Sequence, residues 1–180
     1  SKLLSRAVQR ALNRDEAGRR ITAPNYERLA EAHPNQDSWF GSEIEEGDIE
    51  SGTIYVLRSL SDHPTIAANR ELIHKIGVTG GKVDTRLIQA EHDATFLLAK
   101  VEVIAQYKLS NINRSKLEKI LHRLFAAAQL DITIQDRFGH PVQPKEWFLV
   151  PLHVIDQAVQ AIIDGSITQL SYDPATAQLK

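Results

Sequence analysis

Thr53-Ile54-Tyr55-Val56-Leu57 and, after a polar spacer, Ile73-His74-Lys75-Ile76-Gly77-Val78-Thr79 are the two stretches on which the fold turns. Both are dense in β-branched and aromatic residues, and the second stops at Gly80-Gly81. That pattern reads as two strands. Outward from them, Asp84 to His92 predicts a short helix with Asp84 as N-cap and Leu87 and Ile88 turned inward. Val101 to Leu109 reads as a third strand. Arg114 to Ala128 is the clearest helix, with Leu117, Ile120, Leu121, Leu124, Phe125 and Ala128 along one face. Ile132-Thr133-Ile134 and Trp147-Phe148-Leu149-Val150 read as short strands around the turn Phe138-Gly139-His140-Pro141. A closing helix from His153 to Asp164 ends at Gly165.

Upstream the pattern changes. Residues 2–13 have helical spacing of Leu3, Leu4, Ala7, Val8, Ala11 and Leu12, with Lys2, Arg6, Arg10 and Arg14 in a basic row. The solvated face of a docking helix accounts for that row better than a phosphate-contacting stripe does. Residues 18–52 lack periodicity and read as a linker, with the run Glu43 to Glu50 as a boundary. The expected organisation is therefore a helix and acidic linker over 1–51, an α/β domain over 52–168 and a tail over 169–180. No methionine occurs, even at position 1, so the chain reads as a processed product or part of a longer parent.

Composition narrows the classes. The chain has 180 residues, 21 basic and 23 acidic, for a formal charge of −2. With 42% hydrophobic and 24% charged residues it matches an ordinary globular protein. Without cysteine, disulfide scaffolds, thiolate zinc sites and cysteine nucleophiles are excluded. No apolar run is long enough for a membrane span and no signal peptide opens the chain, so the expected compartment is the cytosol. The charge is segregated: +4 over residues 1–20, −7 over 21–52 and +3 over 53–150. A generic polyanion binder would be far more basic, yet the middle section has room for a locally basic cleft.

On the helix from 114, Glu118 falls at the edge of the apolar arc, and His122 lies one turn later on the same side. A carboxylate there suits a hard cation that keeps much of its water, or else an ordinary ion pair. Tyr55 within an aliphatic strand, Lys75 between His74 and Ile76, and Arg86 beyond a Gly-Gly turn each have a structural explanation as well. These are a buried ring with a wet hydroxyl, an edge lysine and a solvated helical arginine. The seven histidines show no paired zinc spacing, Gly77 to Lys82 lacks the phosphate-loop pattern, and Gly-x-Ser-x-Gly is absent.

In order, Gly52-Thr53-Ile54-Tyr55, His74-Lys75-Ile76-Gly77, Arg86, Leu117-Glu118 with His122, and Glu146-Trp147-Phe148 resemble the motifs of the GIY-YIG nuclease family. The likeness is greatest to a bacterial and phage branch with a Lys-Ile-Gly second motif and a Glu-Trp-Phe strand, and it covers about residues 52–165. The resemblance implies a small antiparallel sheet with a three-stranded core flanked by helices, acting as a DNA endonuclease. It implies that Tyr55 activates or positions the attacking water, that Arg86 steadies the scissile phosphate, and that Glu118 binds one magnesium or manganese ion. Lys75 and His122 join the catalytic group, with His74 and Glu146 as accessories and Lys82 and Arg114 as nucleic-acid-binding cations. Lys75 and the metal are expected to favour the Tyr55 phenolate. The expected partner is double-stranded DNA in bacterial or phage defence or repair, alongside any further domains of a parent chain.

The pattern departs from the family at several points. Lys75 replaces the second motif's tyrosine, and the spacer from Arg58 to Ile73 is long, implying an inserted loop. Ala90 stands where relatives carry histidine, His92 being on another face, and Glu146 lies where several carry asparagine. Two alternatives remain open. One is a nucleic-acid-binding module with weak or lost catalysis. The other is a protein-interaction domain, for which the acidic segment 43–50 and the modest net charge speak.

Overall fold

The computed structural model describes residues 50–180. The helix expected over 2–13 lies outside the described residues, as does the linker expected over 18–52 except for its last three positions. The elements are β1 (Glu50–Ser59), α1 (Pro64–Ala68), β2 (Ile73–Thr79), α2 (Val83–Leu87), β3 (Val101–Ile112), α3 (Arg114–Leu124), β4 (Ile134–Gln135), β5 (Pro141–Val142), β6 (Trp147–Leu149), α4 (Leu152–Asp164), β7 (Tyr172–Asp173) and β8 (Gln178–Leu179).

The expected α/β class is what the structure has. Its principal sheet is antiparallel in the order β3-β1-β2-β6. The three-stranded core thus gains a fourth strand, because Trp147–Leu149 pairs with Ile73–Lys75. Successive strand residues point to opposite faces, and β1 uses this fully. Ile54 and Val56 enter a large core with Ile76, Val78, Tyr107, Leu117, Leu121, Phe125 and the buried side of α4. Tyr55 and Leu57 enter a much smaller cluster with Val83, Ala90 and Phe96.

Local chemistry explains most boundaries. Asn113 starts α3 by accepting from the Lys116 backbone N–H at 2.9 Å. Gly165 ends α4 in the left-handed region at φ 82°. The helix expected over 84–92 is shorter: Asp84 lies in the first turn of α2, Lys82 is the cap residue, and residues 90–92 form a separate 3-10 turn. Leu87 packs inward as expected, but Ile88 is 76% exposed because α2 ends beside it. The helix from 114 likewise changes to a 3-10 turn over 126–128. The inserted loop contains α1, capped by His63 and anchored by buried Ile66. Residues 172–179 form a hairpin whose Tyr172 and Ala177 join the large core.

Candidate active site

Tyr55 is paired with Gly77 on β2, and its ring occupies the space where a side chain at Gly77 would stand. This is the physical reason for glycine after Lys75-Ile76: any Cβ would collide with the phenol. Tyr55 is only 3% exposed. Burial is the main force raising its pKa above the ordinary 10, Glu146 and Glu118 push the same way, and the Arg86 guanidinium opposes them. The Arg86 guanidinium acts on the phenol chiefly through its charge. It reaches there from the last turn of α2, an otherwise exposed position.

Glu118 bears on the same phenol through its charge from α3, which runs along β2 where β6 has ended. The last ladder bond on that side runs from the Ile76 N–H to the Glu146 carbonyl at 3.2 Å, leaving the rest of β2 without a strand neighbour. His122 takes over there, donating Nε2–H to the Ile76 carbonyl at 2.7 Å, with its ring 5.3 Å from Phe148. That bond fixes α3 along the open edge of β2 and leaves Nδ1 as the ring's acceptor in its neutral form. Glu118, one turn earlier on the helix, is half-buried. The charges of Arg86 on α2 and Glu118 on α3 thus both bear on the phenol of Tyr55 on β1.

Lys75 lies on the Tyr55 face of β2 and is 1% exposed. Its ammonium pairs with the Glu146 carboxylate and sits 4.7 Å from the Phe96 ring centroid. The Thr95 carbonyl accepts from it at 3.4 Å and from the Trp147 indole at 2.9 Å. A buried ammonium needs such a partner. Glu146 neutralises the charge that was expected to polarise Tyr55, and Lys75 is not among the groups acting on that phenol. The expectation that Lys75 favours the phenolate is corrected accordingly: in the protein alone, burial favours the neutral phenol.

His74 does not join the group. It is fully buried on the opposite face, donates Nδ1–H to the Val150 carbonyl at 2.7 Å, and has its pKa pushed down to about 4, chiefly by burial. Ala90, where a histidine would have stood, is itself packed beneath Tyr55's cluster, and His92 is exposed. Arg114 lies across Gly52 and Gly80, its guanidinium filling the space a side chain at Gly80 would need, while Lys82 is exposed on the adjoining turn. Three polar residues beside the site escaped the sequence reading: Thr53, Gln106 and Lys108. Only the register reveals them, with Gln106 opposite Tyr55 and Lys108 opposite Thr53.

The family model for the T5orf172 domain matches residues 52–163, which span this whole constellation. The chain belongs to the T5orf172 domain family. T5orf172 domains are related in fold to GIY-YIG nucleases and are associated with endonuclease-like proteins, so the family points to a nuclease-like or DNA-binding module. Over 146 residues this T5orf172 chain is 38% identical to the uncharacterized protein YeeC of Bacillus subtilis (strain 168), covering 81% of the chain and 37% of YeeC. It therefore spans little more than a third of that relative's length. No solved structure matches the chain. Among the described residues no helix is long and apolar enough to cross a membrane.

Proposed function

We propose that this T5orf172 domain is an endonuclease that hydrolyses DNA phosphodiester bonds with one divalent cation, magnesium or manganese. What supports the reading is that the Arg86 guanidinium and the Glu118 carboxylate, both far from Tyr55 in the chain, bear electrostatically on its phenol. The donor set suits a hard ion. Among the described residues no three His, Cys, Asp or Glu side chains gather, which disfavours a protein-saturated zinc site. A cation held by Glu118 would keep most of its waters, as magnesium does. When bound, it supplies positive charge to the phosphoryl oxygens and the leaving oxygen.

The protein's own groups do the rest. Arg86 offers a planar fork to two phosphate oxygens beside Tyr55. The Tyr55 O–H orients the attacking water. The Gly77 contact fixes the ring, so the water is held in one place. His122 keeps α3, and with it Glu118, at the edge of β2. Lys75 and Glu146 form the wall beside the phenol.

A second reading, a nucleic-acid-binding module without efficient catalysis, draws on the burial of Tyr55, which disfavours the phenolate a strong base would need. Nicking of supercoiled plasmid separates the two. The endonuclease reading expects nicking that needs magnesium or manganese, stops with chelator and is lost in Glu118→Ala with the circular dichroism spectrum unchanged. Salt-sensitive DNA binding with no nicking in either metal selects the second reading.

A further inference from the structure

The Tyr55 face of the sheet is open at one end. There the turn Gly80–Asp84 and strand β3 enclose a cleft of about 410 Å³, bordered by Thr53, Lys82, Asp84, Gln106 and Lys108. The turn is built to stand there: the Gly81 N–H donates to Thr79 Oγ1 at 3.2 Å, and Arg114 packs against Gly80. The register fixes the cleft relative to Tyr55. Gln106 is directly opposite Tyr55, and Lys108 is opposite Thr53, one pleat repeat or about 6.6 Å along β1. Directly paired residues share a face, so all four side chains lie on the same side of the sheet.

Charge gives the face a direction. Lys82 and Lys108 outnumber Asp84 in the cleft, and the Arg114 guanidinium beside Gly80 adds to them. Around Tyr55 itself the charges balance, with Glu146 paired to Lys75 and Glu118 set against Arg86. A polyanion laid over Tyr55 is therefore attracted more strongly at the cleft than beside the phenol. We infer that the cleft holds the sugar–phosphate backbone of the strand next to the bond facing Tyr55. Lys82 and Lys108 pair with its phosphates, while Thr53 and Gln106 donate neutral hydrogen bonds to them. The identity of the bond facing Tyr55 rests on the endonuclease reading; occupation of the cleft does not require turnover.

The test measures binding without cleavage. The full chain carrying Glu118→Gln is titrated with a fluorescent DNA duplex in chelator across a series of salt concentrations. Lys108→Gln is expected to flatten the plot of log Kd against log salt by about one unit, and Lys82→Gln with Lys108→Gln by about two. Lys100→Gln, an exposed lysine 3.7 Å from Glu91 outside the cleft, is expected to leave the slope unchanged. An unchanged slope in the double variant, or equal flattening by Lys100→Gln, overturns the inference. Flattened slopes in a protein whose parent never nicks DNA would uphold the cleft and remove the enzyme reading. Unchanged slopes in a protein that nicks would do the reverse.

Discussion

Ile54 and Tyr55 are neighbours on one strand, yet they face surroundings of different kinds. Ile54 enters a large core closed by α3 and α4, in which nearly every side chain is aliphatic or aromatic. Tyr55 enters a five-residue cluster bordered by Lys75, Arg86, Glu118 and Glu146, with an open polar cleft beyond it. The first face supplies the stability and the second carries the polar chemistry. Because one β-sheet serves both, substitutions a residue apart should have separable effects.

The largest separation is expected from Tyr55→Phe. It removes one oxygen and keeps the ring against Gly77, so the unfolding midpoint should barely move. Nicking should fall by roughly 10²–10⁴, the usual worth of a positioned proton-transfer group. A midpoint drop matching the loss of activity would show that Tyr55 serves packing instead. The converse comes from Leu121→Ala on the other face, fully buried in the large core. It should cost about 2–5 kcal/mol in denaturant unfolding, while nicking per folded molecule stays within a few-fold of the parent.

These faces were not equally legible in the sequence. Period-2 and period-3.6 patterning is a response to burial, so β1, β2, α3 and α4 stood out near their observed bounds. Ile88 was misplaced because its apolarity matched an inward position that exists only if α2 continues past Leu87. The fourth strand was legible as a strand but not as a member of this sheet, since pairing partners are set by tertiary contacts. On the Tyr55 face, motif order brought Tyr55, Arg86 and Glu118 into view. It could not show that Glu146 pairs with Lys75, nor that Gln106 and Lys108 stand beside the phenol, because salt bridges and register leave no periodic signature.

His74 illustrates the same limit and yields a smaller effect. Adjacent to Lys75 in sequence, it belongs to the stability face, buried and neutral with a pKa of about 4. Its unfolded value is near 6.5, so the unfolded chain binds a proton more readily. Stability from this group is complete above pH 6.5 and is lost as pH falls towards 4, a loss on the order of 3 kcal/mol. Urea unfolding of the parent at pH 7 and pH 4.5, set against His74→Phe, reads it. The variant should show a shallower acid loss, and identical pH slopes would mean that His74 is not buried neutral.

The joint environment of Tyr55 and Glu118 can be read from the phenol's own titration, followed through the Cζ resonance of carbon-13-labelled tyrosine and assigned by Tyr55→Phe. Without metal, Tyr55 should titrate above the ordinary value of 10, as its burial dictates. Magnesium should lower that value in the parent and leave it unmoved in Glu118→Ala. A phenol that ignores magnesium in the parent, or that responds equally without Glu118, would contradict the account.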